Sequence, residues 1–489
     1  MENGWAFEGA ISKMQLRGLL GALLLCACVA SHAQTSLPAP VVQALQDGGV
    51  PETSLAALVL PAHGGAPLLA YQDERAMSPA STMKLVTTLV GLETLGPTYR
   101  WKTQLLSTGK PQGDKLKAPL YLQGGGDPHL HWDALRGMLR TLRAQGVRRL
   151  EGDLILDRSL FNPNRPDVGA PQFDESPQAY YNVIPDALLV HGNMLDLSID
   201  STGKMPVVRS QPPLHGVQIK TQLTLEDSDC KTWDDDLVTA QAQPPVNGKV
   251  QVVLQGVFPK NCVARSRLNL LDRNDYVERF VRAFWIELGG TWKGHVRDGI
   301  VDTQAQVLVT RPSDNLTEVV RLINKPSDNA MTRTLFLTLG TNQPGDGLGT
   351  PSSEKAKAVV LAWFDAHNIS THGLVLDNGS GLSRSERITA RQMAGLLHEG
   401  IKSNWYPEFA SSMPIVGVDG TMRKRNKDTA ATGRARIKTG TLRDTSAIAG
   451  YVRDRQNRDW IVVGFINDQA SKKGRPALDA LIQWVAEGQ

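Results

Sequence analysis

The stretch MSPASTMKLVTTLVGL, residues 77–92, places Ser81 three positions ahead of Lys84 and then runs apolar. From Thr82 to Leu92 no other side chain is charged. Such an ammonium either reaches back to water along its own aliphatic stem or is held beside Ser81. Ala80, Thr87 and Thr88 share that helical face. A lysine desolvated there has its pKa lowered, and its amine can take a proton from the serine hydroxyl.

Ser-x-x-Lys alone is a weak signal, since the chain has five: Ser81/Lys84, Ser107/Lys110, Ser201/Lys204, Ser228/Lys231 and Ser352/Lys355. Ser107 and Ser201 stand in turn-like STGK segments, and Ser228 stands in a polar loop. Ser352 is expected to help cap a helix starting near Ser353. Only Ser81 opens a long apolar helix.

Two further motifs single it out. Lys438-Thr439-Gly440 is the only KTG in the chain, within the strand-like ARIKTGTL (435–442). Glycine in a strand marks close approach of another backbone, here a peptide adding itself to the sheet edge. Ser327-Asp328-Asn329 supplies a hydroxyl and an amide between two helical segments. The rival Ser313-Asp314-Asn315 falls where the 316–325 helix starts, and capping accounts for it. Ser-x-x-Lys, Ser-Asp-Asn and Lys-Thr-Gly, in that order, form the signature of penicillin-recognising serine enzymes.

Working outward, SLAALVLP (54–61) and PLLAYQ (67–72) read as strands, as do ARIKTGTL, TSAIAGYV (445–452) and DWIVVGFI (459–466). Helices are expected at 38–46, 316–325, 329–339, 353–366 and 389–402, and around Leu478, Leu481, Ile482 and Val485. The two ends of the chain should therefore build one antiparallel sheet covered by helices. Residues 98–302 differ, with short β-like runs broken by Gly, Pro and Asn turns and one helix at 131–145. The division expected is a leader at 1–33, a first catalytic part at 34–97, a mainly β insertion at 98–302 and a second catalytic part at 303–489.

At 489 residues the chain exceeds one ordinary core. Its net charge of +4 is nearly balanced, and no Lys/Arg-rich run points to nucleic acid. Lys13 and Arg17 precede the apolar GLLGALLLCACVA, and Ser31-His32-Ala33 supplies a small-residue cleavage site before Gln34, the pattern of an export leader. Residues 1–13 are atypical ahead of a leader, and Met14 is the alternative start. Leu25-Cys26-Ala27-Cys28 only loosely resembles a lipidation box, so cleavage and a periplasmic mature chain are expected. No later segment approaches 18 consecutive apolar residues, so no membrane span is expected in the mature chain. Beyond the leader, Cys230 and Cys262 stand 32 apart, an even pair in an oxidising compartment and hence a disulfide. They make a poor metal site.

With these motifs in place, the chain resembles the low-molecular-mass class C penicillin-binding proteins, serine D-alanyl-D-alanine carboxypeptidases and endopeptidases. The likeness extends to LQGGGDPHL (122–130), GDLILDRSLF (152–161), YYNVIPDALLV (180–190), DNGSGLSR (377–384) and VDGTMRKR (418–425). Ser327 follows Ser81 by 246 residues (81 to 327), as the insertion requires. Ile184-Pro185-Asp186 and His191 depart slightly from the family pattern.

The resemblance implies an α/β transpeptidase-like fold, a five-stranded antiparallel sheet flanked by helices plus a helical lobe. It implies an acyl-enzyme on Ser81, with Lys84 as base, neutral through desolvation and the nearby Lys438. Ser327 would relay the proton, Lys438 would hold Ser327, and Asn329 would orient Lys84. Backbone N–H groups of Ser81 and Thr441 would form the oxyanion hole, and Thr439, Gly440 and Thr441 would bind substrate. Peptidoglycan stem peptides and β-lactams are the implied ligands, with no metal or organic cofactor. GGGDP (124–128) lacks the GKS/T of a phosphate loop. The alternatives are a serine β-lactamase, for which no convincing E-x-x-[LN] glutamate is present, and a wall-binding scaffold, which should have lost Ser81, Lys84, Ser327 or Lys438.

Overall fold

A computed structural model of the chain describes residues 34–233, 238–341 and 349–488. The expected leader, 1–33, lies outside the described residues.

Both ends of the described chain meet in one sheet. Its strand order is Ala435–Leu442, Thr445–Arg453, Asp459–Asn467, Leu55–Pro61 and Leu69–Tyr71, every pair antiparallel. The central strands are almost continuously apolar because both faces are covered. Alternate residues feed two cores. Ala56, Leu58, Ala447, Ala449, Ile461, Val463 and Phe465 face a helical lobe. Leu55, Ala57, Val59, Ile448, Val452, Val462 and Ile466 face the first and last helices, Ala39–Asp47 and Arg475–Glu487.

The lobe is built around the helix Lys84–Leu95, in which every residue from Lys84 to Leu92 is buried. It packs against Leu316–Asn324, Asn329–Leu339, Ser352–Ala366 and Ala390–Lys402. A helix that is apolar on all sides belongs at the centre of such a bundle. Ser81 itself lies in a 3₁₀ turn, Ala80–Met83, one step before the α-helix begins.

A second five-stranded sheet has the order Val296–Asp298, Leu154–Asp157, Leu120–Gln123, Lys102–Ser107 and Gln306–Pro312. Its last pair is antiparallel, so this sheet takes strands from both sides of residue 302. Smaller three-stranded sheets share its core. Besides the expected helix, here Trp132–Ala144, the region contains Arg273–Glu287, which the sequence analysis does not include. Its signals are plain in retrospect: Asp272 caps it by accepting from Asn274 N and Asp275 N, and Tyr276, Val277, Phe280, Val281 and Phe284 are buried along one face. The buried Arg273 and Arg279 interrupt the apolar pattern.

Ser352 is also corrected. The helix begins at Ser352 after Pro351 with no side-chain cap, and the Ser352 hydroxyl accepts from Asn162 N at 2.9 Å.

Cys230 and Cys262 form a disulfide between segments 32 residues apart, with Cys262 fully buried. Closing a loop of that length restricts the unfolded chain by about 3–4 kcal/mol. A Cys230→Ser/Cys262→Ser variant should lose about 3 kcal/mol of stability in urea titrations, and reductant should reproduce the loss in the native chain only.

Candidate active site

Ser81 lies in the 3₁₀ turn and Lys84 opens the α-helix that follows, its N–H bonding to the Ser81 carbonyl in the i to i+3 pattern that brings the two side chains onto one face. That brings Lys84 Nζ to 2.9 Å from Ser81 Oγ. Two further partners surround the amine: Asn329 Oδ1 at 2.6 Å and the Ser380 carbonyl at 2.5 Å. Asn329 is oriented because its Nδ2 donates to the Tyr181 carbonyl at 2.9 Å, which leaves Oδ1 facing Lys84. Both partners are then pure acceptors. A neutral amine has two N–H bonds for these two acceptors, and its lone pair is left facing the Ser81 hydroxyl.

The electrostatics favour that neutral form. Lys84 is fully buried, and desolvation lowers its pKa to about 7. The carboxylates of Asp328 and Glu386 oppose the fall, and the Arg333 guanidinium adds to it. Lys438 is equally buried, and its pKa is driven well below the ordinary value, first by desolvation and then by the charge of Lys84. Two buried amines this close disfavour each other's charged form.

The second wall is the edge strand Ala435–Leu442. Lys438 pairs across the ladder with Ala449, a residue of the lobe-side core. Its Nζ lies 2.8 Å from Ser327 Oγ and 2.8 Å from the Thr439 carbonyl. Ser327 has φ of 70°, an unusual value for a non-glycine residue, in the short link between Leu316–Asn324 and Asn329–Leu339. Gly440 lets the strand touch the Ser81 turn: a Cβ there would stand 2.6 Å from the Pro79 carbonyl oxygen and 3.0 Å from Ser81 N. Thr439 donates to Thr421 Oγ1 at 2.8 Å, and exposed Thr441 accepts from Arg475 Nη2 at 3.3 Å.

Comparison with known proteins now decides the class. The model of the D-Ala-D-Ala carboxypeptidase 3 (S13) family matches residues 37–487. The chain belongs to that family. It is a D-Ala-D-Ala carboxypeptidase of the low-molecular-mass class C penicillin-binding type. It is 28% identical over 447 residues to the D-alanyl-D-alanine carboxypeptidase of Actinomadura sp. (strain R39), covering 89% of this chain and 81% of that one. It is 26% identical over 410 residues to DacB of Haemophilus influenzae, covering 81% and 82%. The fold matches the crystal structure of penicillin binding protein 4 (dacB) from Haemophilus influenzae with TM-score 0.73, at 23% identity, over 91% and 98% of the chains. That protein has also been solved with a bound β-lactam.

Within this S13 chain the remaining motifs fall into structural roles. Ser107 and Ser201 donate their hydroxyls to the carbonyls of Pro119 and Pro259. Asn315 caps its helix by accepting from Glu318 N at 3.0 Å. Asp127 of GGGDP accepts from His129 N and pairs with Arg311.

Three features escape the sequence reading. The segment around Tyr180 comes from the inserted region yet lies on the site, since Tyr180 donates to Asp328 and Tyr181 holds Asn329. Arg475, at the start of the last helix, reaches Thr441. Glu386 lies just past the quoted DNGSGLSR and organises its loop. No local pattern links any of them to Ser81. A cavity of about 1040 Å³ opens beside the site, lined by Asn182, Val183, Arg333, Leu382 and Ser383 among others, and does not include Ser81.

The depressed Lys84 pKa has a thermodynamic consequence. The folded chain releases this proton near pH 7 and the unfolded chain near 10.5. Between those values the unfolded state binds more protons, so native stability rises with pH. The stability difference between Lys84→Met and the native chain should therefore be largest below pH 7 in the variant's favour. It should shrink toward pH 10.5, by at most about 1.4 kcal/mol per pH unit. Urea titrations at several pH values measure it, and a pH-independent difference would contradict a neutral Lys84.

Proposed function

We propose that this carboxypeptidase is exported to the periplasm and works through a Ser81 acyl-enzyme on peptidoglycan stem peptides. It removes terminal D-alanine, opens D,D-crosslinks, and is acylated by β-lactams. The observation that carries this reading is the placement of Lys84 Nζ between two acceptors and the Ser81 hydroxyl.

In the first half-reaction, Lys84 takes the Ser81 proton as Oγ bonds to the carbonyl carbon of the penultimate D-alanine. The C–N bond then breaks, and the leaving amine receives a proton through Ser327, whose hydroxyl Lys438 holds at 2.8 Å. Water repeats the sequence on the ester and restores Ser81. Backbone N–H groups of Ser81 and Thr441 face the carbonyl oxygen, a role worth about 3 kcal/mol per donor. Gly440 supports this assignment by allowing the two backbones to come together. Thr439 and Thr441 receive the terminal carboxylate, and Arg475 beside Thr441 supplies positive charge. Asn329 bridges Lys84 and the inserted region through the Tyr181 carbonyl.

Export is supported by the leader-like N-terminus. Among the described residues no helix is long and apolar enough to cross a membrane. The β-lactam complex of the Haemophilus influenzae protein supports acylation by the same drugs.

A fluorescent penicillin should label the chain stably, and Ser81→Ala should abolish the label. The labelling rate should rise as pH increases through about 7, where Lys84 becomes neutral. D-alanine release from a D-Ala-D-Ala pentapeptide should fall at least about 10³-fold in Ser81→Ala, and a crosslinked dimer should be split by the native enzyme. Rapid penicillin turnover would instead mark a β-lactamase, and absence of label would mark a binding scaffold.

A further inference from the structure

We propose that Glu386 is a positioning residue, whose buried carboxylate gathers the backbone N–H groups of Asp377, Asn378, Gly379 and Gly381 and so aims the Ser380 carbonyl at the Lys84 amine. The inference rests on the reading of Lys84 as the base.

Oε1 of Glu386 accepts from Gly379 N at 2.7 Å, Asn378 N at 3.0 Å and Asp377 N at 3.2 Å, while Oε2 accepts from Gly381 N at 2.8 Å. The donors flank Ser380, so the Ser380 carbonyl is turned away from the carboxylate and onto Lys84 Nζ. Thr87, one turn beyond Lys84, fastens the same loop by donating to the Gly379 carbonyl at 2.7 Å. Gly381, with φ of 81°, presses on the Ser81 turn, and a Cβ there would lie 1.9 Å from the Ala80 carbonyl oxygen. The loop has no room to shift without moving Ser81 or Lys84.

A neutral side chain could brace a loop at lower desolvation cost than a buried carboxylate. The charge has a second effect, on the basicity of the amine. Lys438, lowered by desolvation and by the charge of Lys84, has a pKa well below the ordinary lysine value. Lys84, equally buried, faces Asp328 and Glu386 as well as Arg333, and keeps a pKa of about 7. A base with a pKa near the working pH combines availability with proton affinity. Glu386 therefore aims the lone pair, through Ser380, and together with Asp328 keeps the amine basic. It is 1% exposed.

The test is the pH dependence of penicillin acylation, with melting temperature recorded alongside. In Glu386→Gln the amide nitrogen cannot accept from the loop, and the negative charge is gone. The plateau rate should fall about tenfold, and the midpoint of the acid limb should move to lower pH. Glu386→Asp keeps the charge but not the reach, and Thr87→Val loosens the loop with no change of charge. Both should lower the plateau while leaving the midpoint in place. A midpoint that stays put or moves upward in Glu386→Gln would overturn the proposal, because an opened, rehydrated site raises the lysine pKa. Should Glu386→Gln not fold, an unchanged plateau in Glu386→Asp overturns it instead. Failure of the native chain to form a Ser81 adduct would refute the acyl-enzyme reading itself, a distinct result.

Discussion

Taking the Lys84 amine out of water is the constraint around which the cleft is organised. A buried ammonium is costly, and the chain answers by letting the proton go near neutral pH and by lining the amine with acceptors. Two acceptors, Asn329 from a helix 245 positions on and Ser380 from a loop almost 300 positions away, join the Ser81 hydroxyl of its own turn. Each is in turn held, Asn329 by Tyr181 and Ser380 by the loop that Glu386 gathers. The surroundings of Ser81 and Lys84 are thus a property of packing. The helix Lys84–Leu95 can keep an amine dry only because it is surrounded on every side.

The second requirement is that an edge strand reach the nucleophile. In the antiparallel sheet Ala435–Leu442 is an edge strand whose start pairs with Pro414–Val416, which leaves Lys438–Leu442 as the kind of open edge to which an extended peptide adds. Gly440 allows that edge to close on the Ser81 turn, and Lys438 projects toward the lobe to meet Ser327. The inserted region is joined to the same cleft, since Tyr180 and Tyr181 touch consecutive residues of the Ser-Asp-Asn link. It therefore helps build the wall that orients Lys84, in addition to whatever else it contacts.

Much of this was legible in the residues. Apolar runs of strand length, ending in polar turns, sufficed to place all five strands of the main sheet. The Ser81 turn stood out from four other Ser-x-x-Lys matches because only it opens an apolar helix. Less was legible where pattern and contact diverge. The helix Arg273–Glu287 was obscured by two buried arginines, and the Ser352 hydroxyl, placed like a cap, serves a contact with Asn162.

By itself, then, the sequence determined the kind of chemistry and the scaffold. Hydrophobic periodicity selects strands and helices through local burial, and the order of three short motifs selects the D-Ala-D-Ala carboxypeptidase family. Only the tertiary structure decided that Lys84 Nζ meets Asn329 Oδ1 and the Ser380 carbonyl as well as Ser81, that the Glu386 carboxylate accepts from the backbone on either side of Ser380, and that Arg475 stands beside Thr441. The physical reason is that desolvation and hydrogen-bond direction are set by groups hundreds of residues apart, and these meet only when the two ends of the chain close into one sheet.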